Sequence, residues 1–222
     1  MDNTSSGFSS FANGGINKYN QKPEWAVSNS DEPQTLKISG TYELPIGPNK
    51  KYFSNKGVTG QILGGWQVGW ILDYEAGTAF GVGQNGQPFP NGFNRPTRVP
   101  SVSLSTANYN DARTQFITGA VKTIFNPAAF TETPQYTISD AKRNYGELRD
   151  PAFYNESLNA RKKFYFGDRF TGILQVDYFN ALNRTIFQGP DTNLNDSTFG
   201  QVTSTSLNST NRQGQVGFKL EF

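Results

Sequence analysis

Cysteine and histidine are both absent from the 222 residues. That excludes disulfide frameworks, thiolate and imidazole metal sites, Cys nucleophiles and every His-based triad, and with them most familiar enzyme chemistry. An enzyme is not expected, and neither is a cofactor. Charge of either sign is scarce. Lys+Arg number 20 against 18 Asp+Glu, together 17% of the chain, where an average soluble domain carries about 25%. The net charge of +2 gives no reason to expect a nucleic-acid partner. No run approaches the roughly 18 apolar residues of a membrane-spanning helix. The opening Asp2-Asn3-Thr4-Ser5-Ser6-Gly7 has neither the basic nor the apolar region of a signal peptide. At face value these absences describe a soluble cytoplasmic protein. What is abundant argues otherwise: 18 Phe, 10 Tyr, 23 Gly and 12 Pro point to β-structure with long irregular loops.

Period-2 alternation recurs in five stretches, with apolar residues on one face and polar residues on the other. In the first, Leu36, Ile38, Gly40, Tyr42 and Leu44 oppose Lys37, Ser39, Thr41 and Glu43. In the second, Trp66, Val68, Trp70, Leu72, Tyr74 and Ala76 oppose Gln67, Gly69, Ile71, Asp73 and Glu75. Both have the roughly ten-residue length of a tilted membrane-spanning strand. The third, near 156–166, is less regular and its register is left open. It sets Leu158, Ala160, Phe164 and Phe166 against Ser157, Asn159, Arg161 and Lys163. The fourth alternates Phe170, Gly172, Leu174, Val176 and Tyr178 with Thr171, Ile173, Gln175 and Asp177. The fifth closes the chain with Gly214, Val216, Phe218, Leu220 and Phe222 against Gln213, Gln215, Gly217, Lys219 and Glu221.

Connections alternate in length. Gly167-Asp168 reads as a tight two-residue hairpin turn. A Gly/Pro/Asn-rich segment from Pro45 to about Gln61 joins the first two stretches, whereas 78–153 and 183–210 are long. In an up-and-down meander the long segments fall at one end, the asymmetry of an outer-membrane barrel with long outer loops and short periplasmic turns. A soluble β-sandwich also alternates. Against it stand polar faces rich in Gln, Ser, Thr, Asn and Gly, aromatics at strand ends, and a 78–153 segment too long for a structureless loop in a compact sandwich. The last nine residues have the alternation and terminal Phe of a barrel-assembly signal, carried by Val216, Phe218, Leu220 and Phe222.

Five segments together carry a family resemblance. They are Thr41-Tyr42-Glu43-Leu44-Pro45-Ile46-Gly47, Gly60-Gln61-Ile62-Leu63-Gly64-Gly65-Trp66-Gln67, Phe125-Asn126-Pro127-Ala128-Ala129-Phe130, Asp177-Tyr178-Phe179-Asn180-Ala181-Leu182-Asn183, and Asn193-Leu194-Asn195 with Thr198-Phe199-Gly200. In this order the chain resembles the C-terminal barrel region of TonB-dependent receptor-like outer-membrane proteins of the Oar-like kind. The resemblance implies a bacterial outer-membrane β-barrel that binds or takes up a ligand with energy delivered by TonB. Such receptors have about twenty-two strands and a plug, and even small barrels need about eight strands. The expectation is therefore an all-β antiparallel meander of about five long strands, a C-terminal sector of a transmembrane barrel.

On this reading residues 1–33 resemble an extracellular loop, and 34–222 form the barrel sector with strands near 35–45, 62–77, 154–166, 169–182 and 211–222. Lipid would meet Leu36, Ile38, Tyr42, Leu44, Trp66, Val68, Trp70, Leu72, Tyr74, Leu174, Val176, Tyr178, Val216, Phe218 and Leu220. The implied partners are outer-membrane lipid, the N-terminal strands and plug of a longer parent, the barrel-assembly machinery, and TonB only through that plug. Alone, the chain is expected neither to span a membrane nor to transport.

Other constellations are weaker. Asp73 and Glu75 resemble a glycosidase carboxylate pair, but structural charge ladders look the same. Lys37, Glu43, Arg161, Lys163, Asp177, Lys219 and Glu221 on the other polar faces would extend such a ladder. Asp191-x-Asn193-x-Asn195 opens like a calcium loop. It then places Asp196 where that loop needs Gly and Val202 where it needs a bidentate Glu, so self-capped turns fit better. Sequons at Asn3 and Asn208 are expected by chance in so Asn- and Ser-rich a chain. Gly64-Gly65 suggests a close backbone approach before a strand. The competing class is a secreted sandwich that binds carbohydrate through Tyr109, Tyr136 and Tyr145.

Overall fold

The computed structural model describes residues 20, 22–47, 50–53, 57–86, 95–105, 123–167, 169–207, 209 and 211–222. In chain order its elements are β1 (Thr35–Glu43), α1 (Val58–Leu63), β2 (Trp66–Glu75), β3 (Ala79–Phe80), β4 (Thr97–Arg98), β5 (Phe130–Thr131), β6 (Tyr145–Arg149), β7 (Phe153–Phe166), β8 (Phe170–Phe179) and β9 (Gln213–Glu221). They fall into two units. One gathers Met1–Gln34, Ala76–Ala152 and Ile186–Leu207; the other gathers Thr35–Glu75, Phe153–Thr185 and Asn208–Phe222.

The second unit is one antiparallel sheet in the order β1-β2-β7-β8-β9, the five-stranded meander expected from the alternation. Register ties every even-numbered strand residue to one face. Tyr42 pairs with Val68, Val68 with Ala160, Ala160 with Val176 and Val176 with Val216. Because side chains alternate with period 2, a one-residue slip in any strand would turn its whole apolar set over.

Glycines set the turns. The second strand was expected from about residue 62, but residues 58–63 wind into α1 and the strand starts only at Trp66. Gly65 has φ +74. A Cβ there would lie 2.7 Å from the Lys163 carbonyl oxygen, so the close approach expected of this pair is real. The β7–β8 connection differs from the expected two-residue hairpin. Phe166 pairs with Phe170, which leaves a three-residue connection that starts at Gly167 with φ +66, and Asp168 lies outside the described residues. β8 stops at Phe179 because Asn180 (φ +49) and Asn183 (φ +55) turn the chain away.

The first unit corrects the expectation that 78–153 is structureless. Its described residues enclose an aromatic core of Val82, Ile124, Phe125, Ala129, Phe130, Tyr145, Leu148 and Phe199. Phe125, with no exposed surface, meets Phe199 edge-on at 5.1 Å and Phe130 at 6.2 Å. β3 pairs with β6 and β4 with β5.

Polar side chains supply what short strands cannot. Gln84 mimics a backbone partner for Thr133, donating to its carbonyl at 3.3 Å and accepting from its N–H at 2.9 Å. The Thr133 hydroxyl donates to the Arg95 carbonyl at 3.0 Å, and Arg95 forks onto both oxygens of Glu24 at 2.8 and 2.9 Å. Arg149 holds Asp31 at 2.6 Å. Bidentate, partly buried pairs of this kind fix geometry better than exposed ones.

Candidate functional site

The chemistry of the sheet lies in the contrast between its two faces. The even face carries Leu36, Ile38, Tyr42, Trp66, Val68, Trp70, Leu72, Tyr74, Leu158, Leu174, Val176, Tyr178, Val216, Phe218 and Leu220. Gly40 makes room for an indole in this row: a Cβ would lie 2.6 Å from Trp70 Cζ2. Many of these side chains are open to solvent, with Val216 71% and Phe218 65% exposed. A sandwich would bury this face under a second sheet. An apolar patch this large marks a surface meant for an apolar medium.

The odd face is mostly polar, with apolar exceptions that include Ile71 and Ile173, and internally linked. Lys37 Nζ lies 3.1 Å from Asp73 Oδ2 and 2.6 Å from Glu75 Oε1, so one ammonium holds both members of the carboxylate pair. Further along, Arg161 donates to Gln175 Oε1 at 2.8 Å, and Gln175 donates to both Asp177 oxygens. Gln215 also donates to Asp177 Oδ2, at 3.3 Å. Lys219 pairs with Glu221 at 2.7 Å and Lys50 with Glu43 at 3.1 Å. The expected charge ladder is present in part, as separate links that do not include Lys163. A groove of about 310 Å³ runs along this face, its walls including Arg161, Gln175, Asp177, Gln215, Lys219 and Glu221. Asp73 Oδ1 and Asn155 Oδ1, on residues that pair across β2 and β7, are buried with no hydrogen-bond partner among the described residues.

Two ionic residues interrupt the apolar face; from sequence, Glu156 had no assigned role and Lys162 was expected on a strand, at an interface or in the lumen. Glu156 and Lys162 occupy even positions of β7 and are each 2% exposed. Glu156 is held by Arg184, Nε to Oε1 at 3.2 Å. Arg184 is placed by Asn180, whose side chain accepts from the Arg184 N–H at 2.6 Å and donates to its carbonyl at 2.8 Å. The Arg184 guanidinium also lies over the Tyr154 ring. Lys162 threads between Trp66 and Phe164, 5.3 Å from each ring centroid, and donates to the Gly64 carbonyl.

These two even positions are why the third stretch alternates irregularly. The readable signal was Glu and Lys in the apolar phase, together with the Asn180-to-Arg184 run. Six residues at about 3.3 Å each put Glu156 and Lys162 roughly 20 Å apart along the strand, close to the ~25 Å apolar band of an outer-membrane barrel. Tyrosines (Tyr74, Tyr154, Tyr178) cluster toward the first level, and Trp66, Phe164, Phe166 and Phe170 toward the second.

The remaining candidates resolve simply. Asp191 Oδ1 accepts from the Asn193 N–H and Oδ2 from the Thr198 hydroxyl, so its oxygens are spent on local turns. Among the described residues no group of three or more acidic side chains is placed to hold a metal. Of the tyrosines proposed for carbohydrate, Tyr145 is buried in the first unit's core, Tyr136 is exposed, and Tyr109 lies outside the described residues. The Asn3 and Asn208 sequons also fall on residues outside the description. In the same unit, burial pushes the Asp150 carboxyl above its ordinary 3.8, opposed by the hydrogen bond from the Thr78 hydroxyl. Burial likewise raises Tyr145, opposed by the hydrogen bond its oxygen accepts from the Lys142 N–H.

An antiparallel meander with one exposed apolar face, one linked polar face and aromatic rims is the wall of a membrane β-barrel. The family model described as an outer membrane beta barrel domain matches residues 1–215, and the chain belongs to that family. It is accordingly a protein of the bacterial outer membrane, in contact with that membrane's lipid. No curated protein and no solved structure matches it.

Proposed function

We propose that the chain forms a C-terminal sector of the barrel of a TonB-dependent receptor-like protein. It is a non-enzymatic wall whose parent binds or takes up a ligand at the outer membrane. The observation that carries this reading is the sheet itself. It has an apolar face for lipid, interrupted only near its two ends by Glu156 and Lys162, a hydrogen-bonded polar face for a wet lumen, and, among the described residues, an unpaired outer edge on both β1 and β9. Lipid cannot satisfy open strand edges. Five strands also fall short of the roughly eight a closed barrel needs, so further strands, with a plug that TonB engages, complete the structure.

On this reading the even-face residues from Leu36 to Leu220 meet lipid. Val216, Phe218, Leu220 and Phe222 are read by the assembly machinery. The first unit, with its own core, stands as the extracellular part that touches ligand. The odd-face groove lines the lumen, and the Lys37–Asp73–Glu75 cluster is structural.

The test is conductance. Full chain refolded in detergent and added to planar bilayers is expected to give no discrete channels. In a bacterial host that exports it, the chain is expected in the outer-membrane fraction. Channels from the chain alone would overturn the sector reading. Recovery as a soluble periplasmic protein would overturn its role as a membrane wall.

A further inference from the structure

The two ends of the sheet differ in charge. At the end that holds α1 and the β7–β8 turn, the described cations are Lys50, Lys51, Arg161, Lys162, Lys163, Arg169 and Lys219, and the described side-chain carboxylates are Glu43 and Glu221. Two of the cations pair with those carboxylates, Lys50 with Glu43 and Lys219 with Glu221, and the basic excess remains. At the other end the described charges balance, Asp73, Glu75 and Glu156 against Lys37, Arg184 and Arg212, while Asp177 pairs with Asn159 at mid-height of the sheet.

Large apolar rings stand beside the basic excess. Phe166 and Phe170 pair across the β7–β8 turn, both exposed, and Phe222 follows Glu221, which pairs with Thr171 next to Phe170. Phe164 stacks on Phe166 with an interplanar angle of 20°. Lys162 starts from the apolar face and carries its ammonium toward this end, onto the Gly64 carbonyl. A lysine that runs its stem along an apolar surface and delivers its charge to the rim is snorkelling. Cations in turns behind a row of exposed rings form an interface with an anionic headgroup layer.

We propose that this end of the sheet seats on the anionic glycerophospholipids of the adjoining leaflet. Lys51 and Arg169 lie against headgroup phosphates, and Phe166, Phe170 and Phe222 lie at the boundary with the acyl chains. The proposal rests on the reading of the sheet as a membrane wall and adds which lipid class its basic end selects.

Flotation of the full chain with vesicles tests it, using phosphatidylcholine alone and phosphatidylcholine mixed with phosphatidylglycerol. The chain is expected on both, with a preference for the mixture that collapses in high salt as charge is screened. Lys51→Gln with Arg169→Gln, both exposed turn positions, is expected to weaken binding to the mixed vesicles about 25-fold, near fivefold per charge lost, and to leave binding to phosphatidylcholine unchanged. Arg212→Gln, at the opposite end where the charges balance, is expected to keep the preference. Equal binding by wild type to both vesicles, or an equal loss from Arg212→Gln, overturns the proposal while the wall reading stands. Failure to float with either vesicle removes the wall reading and the proposal with it.

Discussion

The two faces of the sheet make opposite demands on a charge, and arginine measures the difference. Val176 sits in the row Tyr42, Val68, Ala160, Val176, Val216, where every neighbour is apolar. Its partner Ala160 is two residues from Lys162 and four from Glu156, about 7 and 13 Å along the strand, well inside the band the two ions mark. An arginine on the lipid face of a barrel costs about 2–4 kcal/mol at the midplane and about 0–1 near the interfaces. Val176→Arg is therefore expected to lower stability by about 2–4 kcal/mol, a factor of roughly 30 to 1,000 in the unfolding equilibrium.

Leu72 shares the even face but pairs directly with Glu156, so Leu72→Arg gains an opposite charge at the rim and is expected to cost about 1 kcal/mol or less. Gln67 lies on the odd face between Glu43 and Arg161, one charge of each sign, and Gln67→Arg is expected to stay within about 0.5 kcal/mol of wild type. Urea titration of the chain refolded in detergent micelles, followed by far-ultraviolet circular dichroism of the sheet, gives the three values. The reasoning fails if Gln67→Arg is the intolerant substitution, or if Val176→Arg and Leu72→Arg cost the same.

Further outcomes follow from other parts of the molecule. Arg184→Ala leaves the Glu156 carboxylate buried without its guanidinium and is expected to cost about 3 kcal/mol, whereas Glu156→Leu with Arg184→Leu recovers most of it; a double-mutant cycle in micelles reads the coupling. Phe125→Ala in the first unit's core is expected to cost about 3–5 kcal/mol and to open the 123–152 segment to limited proteolysis, with β7 to β9 still protected. Asp150 has a folded-state pKa raised by burial, so the folded chain binds more protons than the unfolded one above the ordinary value of 3.8. Its contribution therefore falls as pH rises through that window. Asp150→Asn, which still accepts from Thr78, is expected to remove that decline; a steeper loss of stability with rising pH in the variant would contradict the sign.

The sequence by itself determined the sheet. Period-2 alternation assigns the residues of β1, β2, β8 and β9 to a face, and because a one-residue slip would invert a whole strand, it restricts register to pairings of even with even positions; slips of two residues keep the faces, and the turns and the fold decide among them. The absence of Cys and His keeps thiolate and imidazole groups off both faces. The terminal alternation from Gly214 to Phe222 marked the last strand, and the structure forms β9 there. Sequence failed where the determining contacts are remote in the chain. The core around Phe125 assembles from segments near 80, 125, 145 and 199, none of which shows a long periodic signal of its own.

Only the tertiary structure explained Glu156 and Lys162. In sequence they blur the phase of β7; in space Arg184, placed by the Asn180 turn, neutralises one, and the Gly64 carbonyl with the Trp66 and Phe164 rings receives the other. Alternation is a local property that backbone geometry enforces within each strand. The partner that makes a buried charge tolerable comes from wherever the fold brings it.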